Sequence, residues 1–596
     1  MPVTPPQTPR GPSRMTGVAA VPAARAATQD VDGTDSPGAT RNFIAKATLI
    51  TASLSVAGAL LGLVRDQTLA QLFGAGVETD AFLVAWTVPE FAATLLIEDG
   101  LAIAMIPAFS LALARRAQGA SGDPVRSLVA STLPRLSLGF VAVSALIIVG
   151  APYVVEVLAP GLPEPDLAAD CTRLTATCVL SFGLAGYCSA ALRAHRRFLA
   201  PATIYVAYNT GIIAAMFLLG ERWGVRSAAA GVAVGGFLMV AVQLPSLRRL
   251  LRSRPSVSGG AAEVRPMSLA LLSSVLLFAM CRQSQVLIER FLASTLPAGA
   301  ISHLNYAQKV AQIPMTLSLM LCTVTFPVVA QALADGDTER ARDRVERDLA
   351  LACRLVLFGA ATVIACAPQI IAILFQRGAF TAQDTVVTAG VLRVYALGLL
   401  GQTLVGVLIR TYFSAGRPTW YPIGAMTAGV VATTWIGAGT VGSWGVLAIA
   451  AANAAGITVT AALLLAGLAQ ERSGRARHKS ARRAEEPAGP SSFVFSTWTA
   501  ARRRAARHSG SRGVPIRTRH VLSDLGRPLR AAGVATVAGA FASSAPGSPV
   551  AGFAVGCVTV TAVFLLLGPA LGTQGRTSAL HSVGAVTRRL RHGRSS

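Results

Sequence analysis

Four charged residues, Arg65, Asp66, Glu78 and Asp80, stand in GLVRDQTLAQLFGAGVETDAFLVAWTVP, residues 62–89, between two apolar runs. Charge at membrane depth costs roughly 2.5–3.5 kcal/mol per residue on insertion scales, so it is usually turned toward an interior cavity and used. The guanidinium of Arg65 can bind phosphate through its forked donors. It can instead snorkel to an interface, or pair with Asp66 or Asp80. Asp80 also suits the start of a second helix, a position that Asp favours as a cap. Lys309 stands alone in NYAQKVAQIPMTLSLML, in a chain with three lysines. A compact ammonium there suits a pyrophosphate, and it equally suits an interface anchor. Glu98 and Asp99 lie within TLLIEDGLAIAMIP, just before a glycine. They can break the helix, bind a coupling cation or pair with Arg65. CRQSQVLIERFLAS carries another charged set, Arg282, Glu289 and Arg290, the last two marking the outer end of a helix.

The elements that must position these residues are membrane helices. The chain has 596 residues, 53% of them hydrophobic and 14% charged, with a mean hydropathy of +0.55. A soluble domain carries about 25% charged residues. Apolar runs recur from Asn42 to Leu468, with two more after Arg530. Each is long enough to cross a hydrocarbon core of roughly 30 Å as a helix. The pattern predicts an all-α polytopic membrane protein with about fourteen transmembrane helices. The expected organisation is a disordered tail over 1–41, six helices over 42–254, six more over 265–468, a basic linker over 471–529, two last helices over 530–571 and a basic tail over 572–596.

Loop charge orients these spans. Arg115, Arg116 and Arg126 follow span two, Arg193, Arg196 and Arg197 follow span four, Arg248, Arg249 and Arg252 follow span six, and Arg340, Arg342 and Arg344 follow span eight. The alternate connections are poor in arginine, as positive-inside insertion requires. Both termini are therefore expected in the cytoplasm. The net charge of +25 is assigned to loops and tails that meet anionic lipid headgroups, and nucleic acid is not an expected partner; the insert RSGRARHKSARRAEEPAGP fits membrane-surface contact and a solvated linker equally. Most of the eight cysteines lie inside apolar runs, without metal-ligand spacing. Lys46, Lys309 and Lys479 do not follow glycine, so there is no Walker A loop, and no GxSxG or HExxH motif occurs. No enzyme chemistry and no cofactor are expected. A coupling ion or the membrane potential remains open as the energy source. TDAFLVAWTVP and SHLNYAQKVAQIP each open a long span and end on a proline, which suggests an internal repeat.

Three segments carry a resemblance. RDQTLAQLFGAGVETDAFLVAWTVP, QVLIERFLASTLPAGAISHLNYAQKVAQIP and LFQRGAFTAQDT resemble the signature segments of the MurJ (MviN) lipid II flippases, in the MOP exporter superfamily. The resemblance covers roughly 42–468. It implies two six-helix lobes in a V around a central cationic cavity, with the last two helices forming a groove for a lipid tail. It implies an undecaprenyl-pyrophosphate-linked glycan as substrate, moved across the bacterial cytoplasmic membrane by alternating access; cell-wall synthesis proteins are partners under a scaffold alternative, through the basic tail and linker. Arg65 matches a cavity arginine, Lys309 falls where the family usually has another, and Asp80 matches the aspartate of the TDAF motif. These three are the implied substrate-binding residues. Glu98, Asp99, Asp66 and Gln312 are candidates for coupling or gating. Ala59, Ala93 and Thr94 stand where the family often carries arginine, and Gln312 stands for an acid. The thinned cation set leaves open an exporter of another lipid-linked glycan or of a small cation, and a non-transporting cell-wall scaffold.

Overall fold

The computed structural model describes residues 37–98, 100–118, 123–252, 269–334, 337–413, 420–484 and 517–570. Asp99, the expected tails up to residue 36 and over 572–596, and the middle of the expected linker lie outside the described residues. Every regular element among the described residues is helical.

The first helix, α1 (Pro37–Phe73), runs for 37 residues and carries Arg65 well inside it, as one long helix. The second span is broken into α2 (Val77–Ala85), α3 (Thr87–Ala92), a π-helical turn over Ala93–Glu98 and α4 (Gly100–Ala117). The expected helix break at Glu98–Asp99 is therefore where the π turn ends. A second break, at Trp86, had no sequence signal. The π turn rests its Leu96 carbonyl on Gly186, where a Cβ would have no room.

The helices that follow come in two sets with the same interruptions. In the first set, α5 (Pro124–Val149) and α6 (Ala151–Leu158) are split at Gly150, and α7 (Pro165–Ala176) and α8 (Cys178–Ala194) at Thr177. Gly224, at φ +54°, turns α9 (Leu199–Trp223) into α10 (Arg226–Arg252). The second set opens with α11 (Leu269–Ala293) and α12 (Ala300–Ala334). There α13 (Thr338–Ala365) and α14 (Ala367–Phe375) are split at Cys366, and α15 (Ala382–Leu397) and α16 (Leu399–Phe413) at Gly398. Gly445, at φ +55°, turns α17 (Tyr421–Trp444) into α18 (Val446–Ala484). The shared breaks support the internal repeat suggested by the two proline-ended segments. Local chemistry sets many helix starts. Asp123 caps α5 by accepting from Val125 N at 3.1 Å. Thr381 and Asp384 form a reciprocal capping box on α15.

The last pair, α19 (Thr518–Ser544) and α20 (Pro549–Ala570), packs on α13, with Ala532, Ala535 and Val560 against Leu357 and Ala361. Within the expected basic linker, α18 continues to Ala484 and α19 starts at Thr518. Arg517 ties that start to α13, its amide donating to Glu346 Oε1 at 2.7 Å.

Eight helical stretches are long and apolar enough to cross a membrane, or nine when the bent α15–α16 pair counts as one. The α11 helix does not reach that threshold among the described residues, and it is the one that carries Arg282, Glu289 and Arg290.

Candidate functional site

The two halves are bonded to each other at one end of the bundle. Asp80, in the first turn of α2, is 3% exposed. Its carboxylate does not cap its own helix. It accepts from the amides of Gly299 at 2.7 Å and Ser302 at 2.8 Å, and from the Ser302 hydroxyl at 2.5 Å. These are the free donors at the start of α12, where the helix dipole also favours an anion. Asp80 thus caps a helix of the other half. Its carboxylate has three donors in this state, so a latch rather than a substrate ligand is the role that its geometry supports.

Backbone contacts surround this latch. The Gly74 carbonyl accepts the Thr79 hydroxyl at 3.0 Å and the Tyr306 hydroxyl at 3.3 Å, one from each half. Ala379 N donates to Gln71 O at 2.9 Å. Gly74 and Gly299 have positive φ, +67° and +94°. A Cβ at Gly299 would sit 2.9 Å from the Ala75 carbonyl oxygen, so the strands of chain meet here because glycine leaves room. Aromatic packing of Tyr306 on Phe375, with centroids 4.9 Å apart, backs the seam.

Arg65 is 12% exposed and well partnered. Its guanidinium donates to Asp66 Oδ1 at 2.6 and 3.0 Å and to Asn209 Oδ1 at 3.2 Å. It also stacks over the Trp86 ring at 4.3 Å, a cation–π contact. The pairing with Asp66 is the alternative that the sequence left open. One terminal nitrogen can still reorient toward a phosphate, but the charge of Arg65 is largely offset.

Lys309 is half-buried on α12, with no ion pair or hydrogen bond among the described residues. Gln312 lies half-buried one turn further along. Glu98 is exposed at the end of the π turn, where it accepts the Tyr205 hydroxyl at 3.0 Å. Ala59 is exposed, Ala93 is half-buried, and Thr94 is buried with its hydroxyl on the Glu90 carbonyl at 3.1 Å. Glu289 is buried in the second half and accepts from Tyr395 at 2.8 Å and from the Asn453 amide. It sits near the end of α11 as expected, but inside the packing rather than at a surface.

Sequence reasoning missed the partners that complete these groups: Trp86, Asn209 and Tyr205 in the first half, Gly299, Ser302, Tyr395 and Asn453 in the second. Asn209 and Asn453, single amides inside apolar runs, were the available signals.

Two sets of helices whose last three pairs break and turn at matching places, joined at one end across a polar latch, define a polytopic all-α transporter fold. A solved structure described as lipid II flippase MurJ in an inward closed conformation aligns with a TM-score of 0.65 at 17% identity, covering 88% of this chain and 98% of that one. An inward-facing multidrug resistance MATE family transporter of the MOP superfamily aligns with a TM-score of 0.55 at 15% identity, covering 74% and 99%. The family model for lipid II flippase MurJ matches residues 69–501, and the chain belongs to that family. The lipid II flippase MurJ of Burkholderia cenocepacia is 28% identical over 62% of this chain and 73% of its own length. The probable lipid II flippase MurJ of Bdellovibrio bacteriovorus is 30% identical over 63% and 72%.

Proposed function

We propose that this chain translocates lipid II, an undecaprenyl-pyrophosphate-linked peptidoglycan precursor, across the bacterial cytoplasmic membrane by alternating access. The observation that carries the reading is the Asp80 latch. It closes the seam between the two halves at one end through polar bonds that can be exchanged for water. Lys309, on the helix that the latch caps, has no ion pair or hydrogen bond among the described residues. Membership of the flippase family supplies the cargo class.

In this reading the chain crosses the membrane fourteen times, as lobes over 42–254 and 265–468 with a final pair over 530–571. The arginine-rich loops put both termini and the linker in the cytoplasm, where the linker contacts anionic lipid, and the latched end faces outward. Lys309 and the reorientable guanidinium of Arg65 hold the pyrophosphate. Asp66 sets how freely Arg65 can move. Glu98 with Tyr205, together with Asp99 and Gln312, respond to cargo or to a coupling ion. A membrane potential is a sufficient drive, at about 2.3 kcal/mol per charge per 100 mV.

The test is rescue of a strain depleted of its lipid II flippase, paired with flipping of lipid II in vesicles holding the purified chain. Rescue with flipping is expected. Failure of both, with the protein present in the membrane, overturns the reading.

A further inference from the structure

We infer that Arg282 is a pyrophosphate-binding residue on the interior face of α11, at the same depth as Arg65 and Lys309. The inference rests on the lipid-linked cargo proposed above. Its ground is the way in which α11 distributes its exposed side chains. Leu277, Met280 and Phe291 are 45%, 37% and 47% exposed. On a helix of 3.6 residues per turn these three lie within about 60° of one another and form the lipid-facing side. Arg282 is also exposed, yet it lies about 140–180° from each of them around the axis.

The flanks of Arg282 are occupied. Leu276 meets Gly100 of α4 in the first half. Cys281 meets Thr427 of α17 at 3.7 Å in the second. The exposure of Arg282 therefore opens onto the space between the halves, where water can reach the charge, and not onto lipid, where it would be costly.

Depth follows from helix rise. Arg65, Lys309 and Arg282 lie eight, nine and eleven residues from Phe73, Ala300 and Ala293, the ends of α1, α12 and α11 beside the latch. At 1.5 Å per residue those distances are about 12, 14 and 17 Å. Three helices thus place three cations at one level below a common closure.

Glu289, seven residues on and about 20° from Arg282 around the axis, is the acid on this side, and its carboxylate is taken by Tyr395 and Asn453. Arg282 has no hydrogen bond or ion pair among the described residues. Gln283 and Arg290, 9% and 4% exposed, each hold a buried nitrogen without an acceptor, Nε2 and Nε respectively. Unpaired donors inside a span call for acceptors. A pyrophosphate brings negative charge and acceptor oxygens, and the guanidinium fork takes two of them at once. Arg65 has Asp66 as an internal counter-ion, whereas no described partner neutralises Arg282. Arg282 is therefore able to bind the pyrophosphate with its full charge, in a chain where Ala59, Ala93 and Thr94 provide none.

The experiment measures binding of undecaprenyl pyrophosphate to the full chain in nanodiscs. Arg282→Ala should weaken binding by about tenfold or more, the loss expected for a charge-assisted bond. Arg282→Lys should recover part of it, and thermal unfolding should not move. Arg282→Cys should react with a membrane-impermeant cationic thiol reagent above the signal of the parent chain, and undecaprenyl pyrophosphate should protect it. Unchanged binding by Arg282→Ala, or no added labelling of Arg282→Cys, on a chain that binds the ligand overturns the assignment alone. A wild-type chain that does not bind the ligand overturns the cargo reading, and this inference with it.

Discussion

Asp80→Asn tests the latch directly, because it keeps the shape of the side chain and removes its charge. The carboxylate now accepts from Gly299 N, Ser302 N and the Ser302 hydroxyl. An Asn oxygen can keep the two Ser302 bonds, but the amide nitrogen then faces the Gly299 N–H, donor against donor. One charge-assisted bond is lost, worth about 1.5–3 kcal/mol, and the two retained bonds become neutral and weaker. The attraction between an anion and the start of α12 also goes, at about 0.3–1 kcal/mol. The sum is about 2–4 kcal/mol, or roughly a 30–900-fold rise in transient opening. Amide hydrogen exchange reads this opening. Exchange across residues 296–303 should accelerate by that factor in Asp80→Asn, while the buried segment around Tyr187 in α8 should not change. Equal acceleration everywhere would indicate global destabilisation. Unchanged exchange at 296–303 in a folded variant would refute the claim that Asp80 holds the two halves together.

Other consequences follow from the same geometry. Lys309→Ala should abolish lipid II flipping in vesicles without lowering the thermal midpoint, since no described partner loses a bond, and Lys309→Arg should retain transport. A concurrent fall in midpoint would reassign Lys309 to a structural role. Gly299→Ala should loosen the same closure by about 1–2 kcal/mol, the cost of a left-handed backbone for an L side chain, read as faster exchange at 296–303; no change would mean that the seam relaxes around the methyl. Glu289→Ala leaves the Tyr395 hydroxyl and the Asn453 amide buried without their acceptor. Each costs about 1–3 kcal/mol, so the thermal midpoint should drop clearly. A midpoint equal to wild type would show that water reaches the pocket.

The class of this protein was legible in its residues because a bilayer imposes a one-dimensional rule. Spans near 20 residues long and positive loops are local properties of a chain, and they are readable without knowing which helix touches which. The break at Glu98–Asp99, the paired opening segments of the two halves and the isolation of Lys309 were all present at that level. So was the ordered motif set that relates the chain to its family.

Tertiary structure decided what each charge does. Asp80 reads as a cap for its own helix, since local sequence cannot show that the vacant donors it meets lie on α12, more than two hundred residues further along the chain. Arg65 reads equally as a cavity cation or as the partner of a neighbouring acid until Trp86 and Asn209 are brought to it from other helices. Arg282 reads as one more member of a charged set, and only the arrangement of neighbours around α11 separates its exposed side from the lipid-facing one. Periodicity assigns a residue to a face of a helix. Which faces meet is set by packing between segments far apart in sequence, and that packing decides whether a charge is neutralised, latched or left for a ligand.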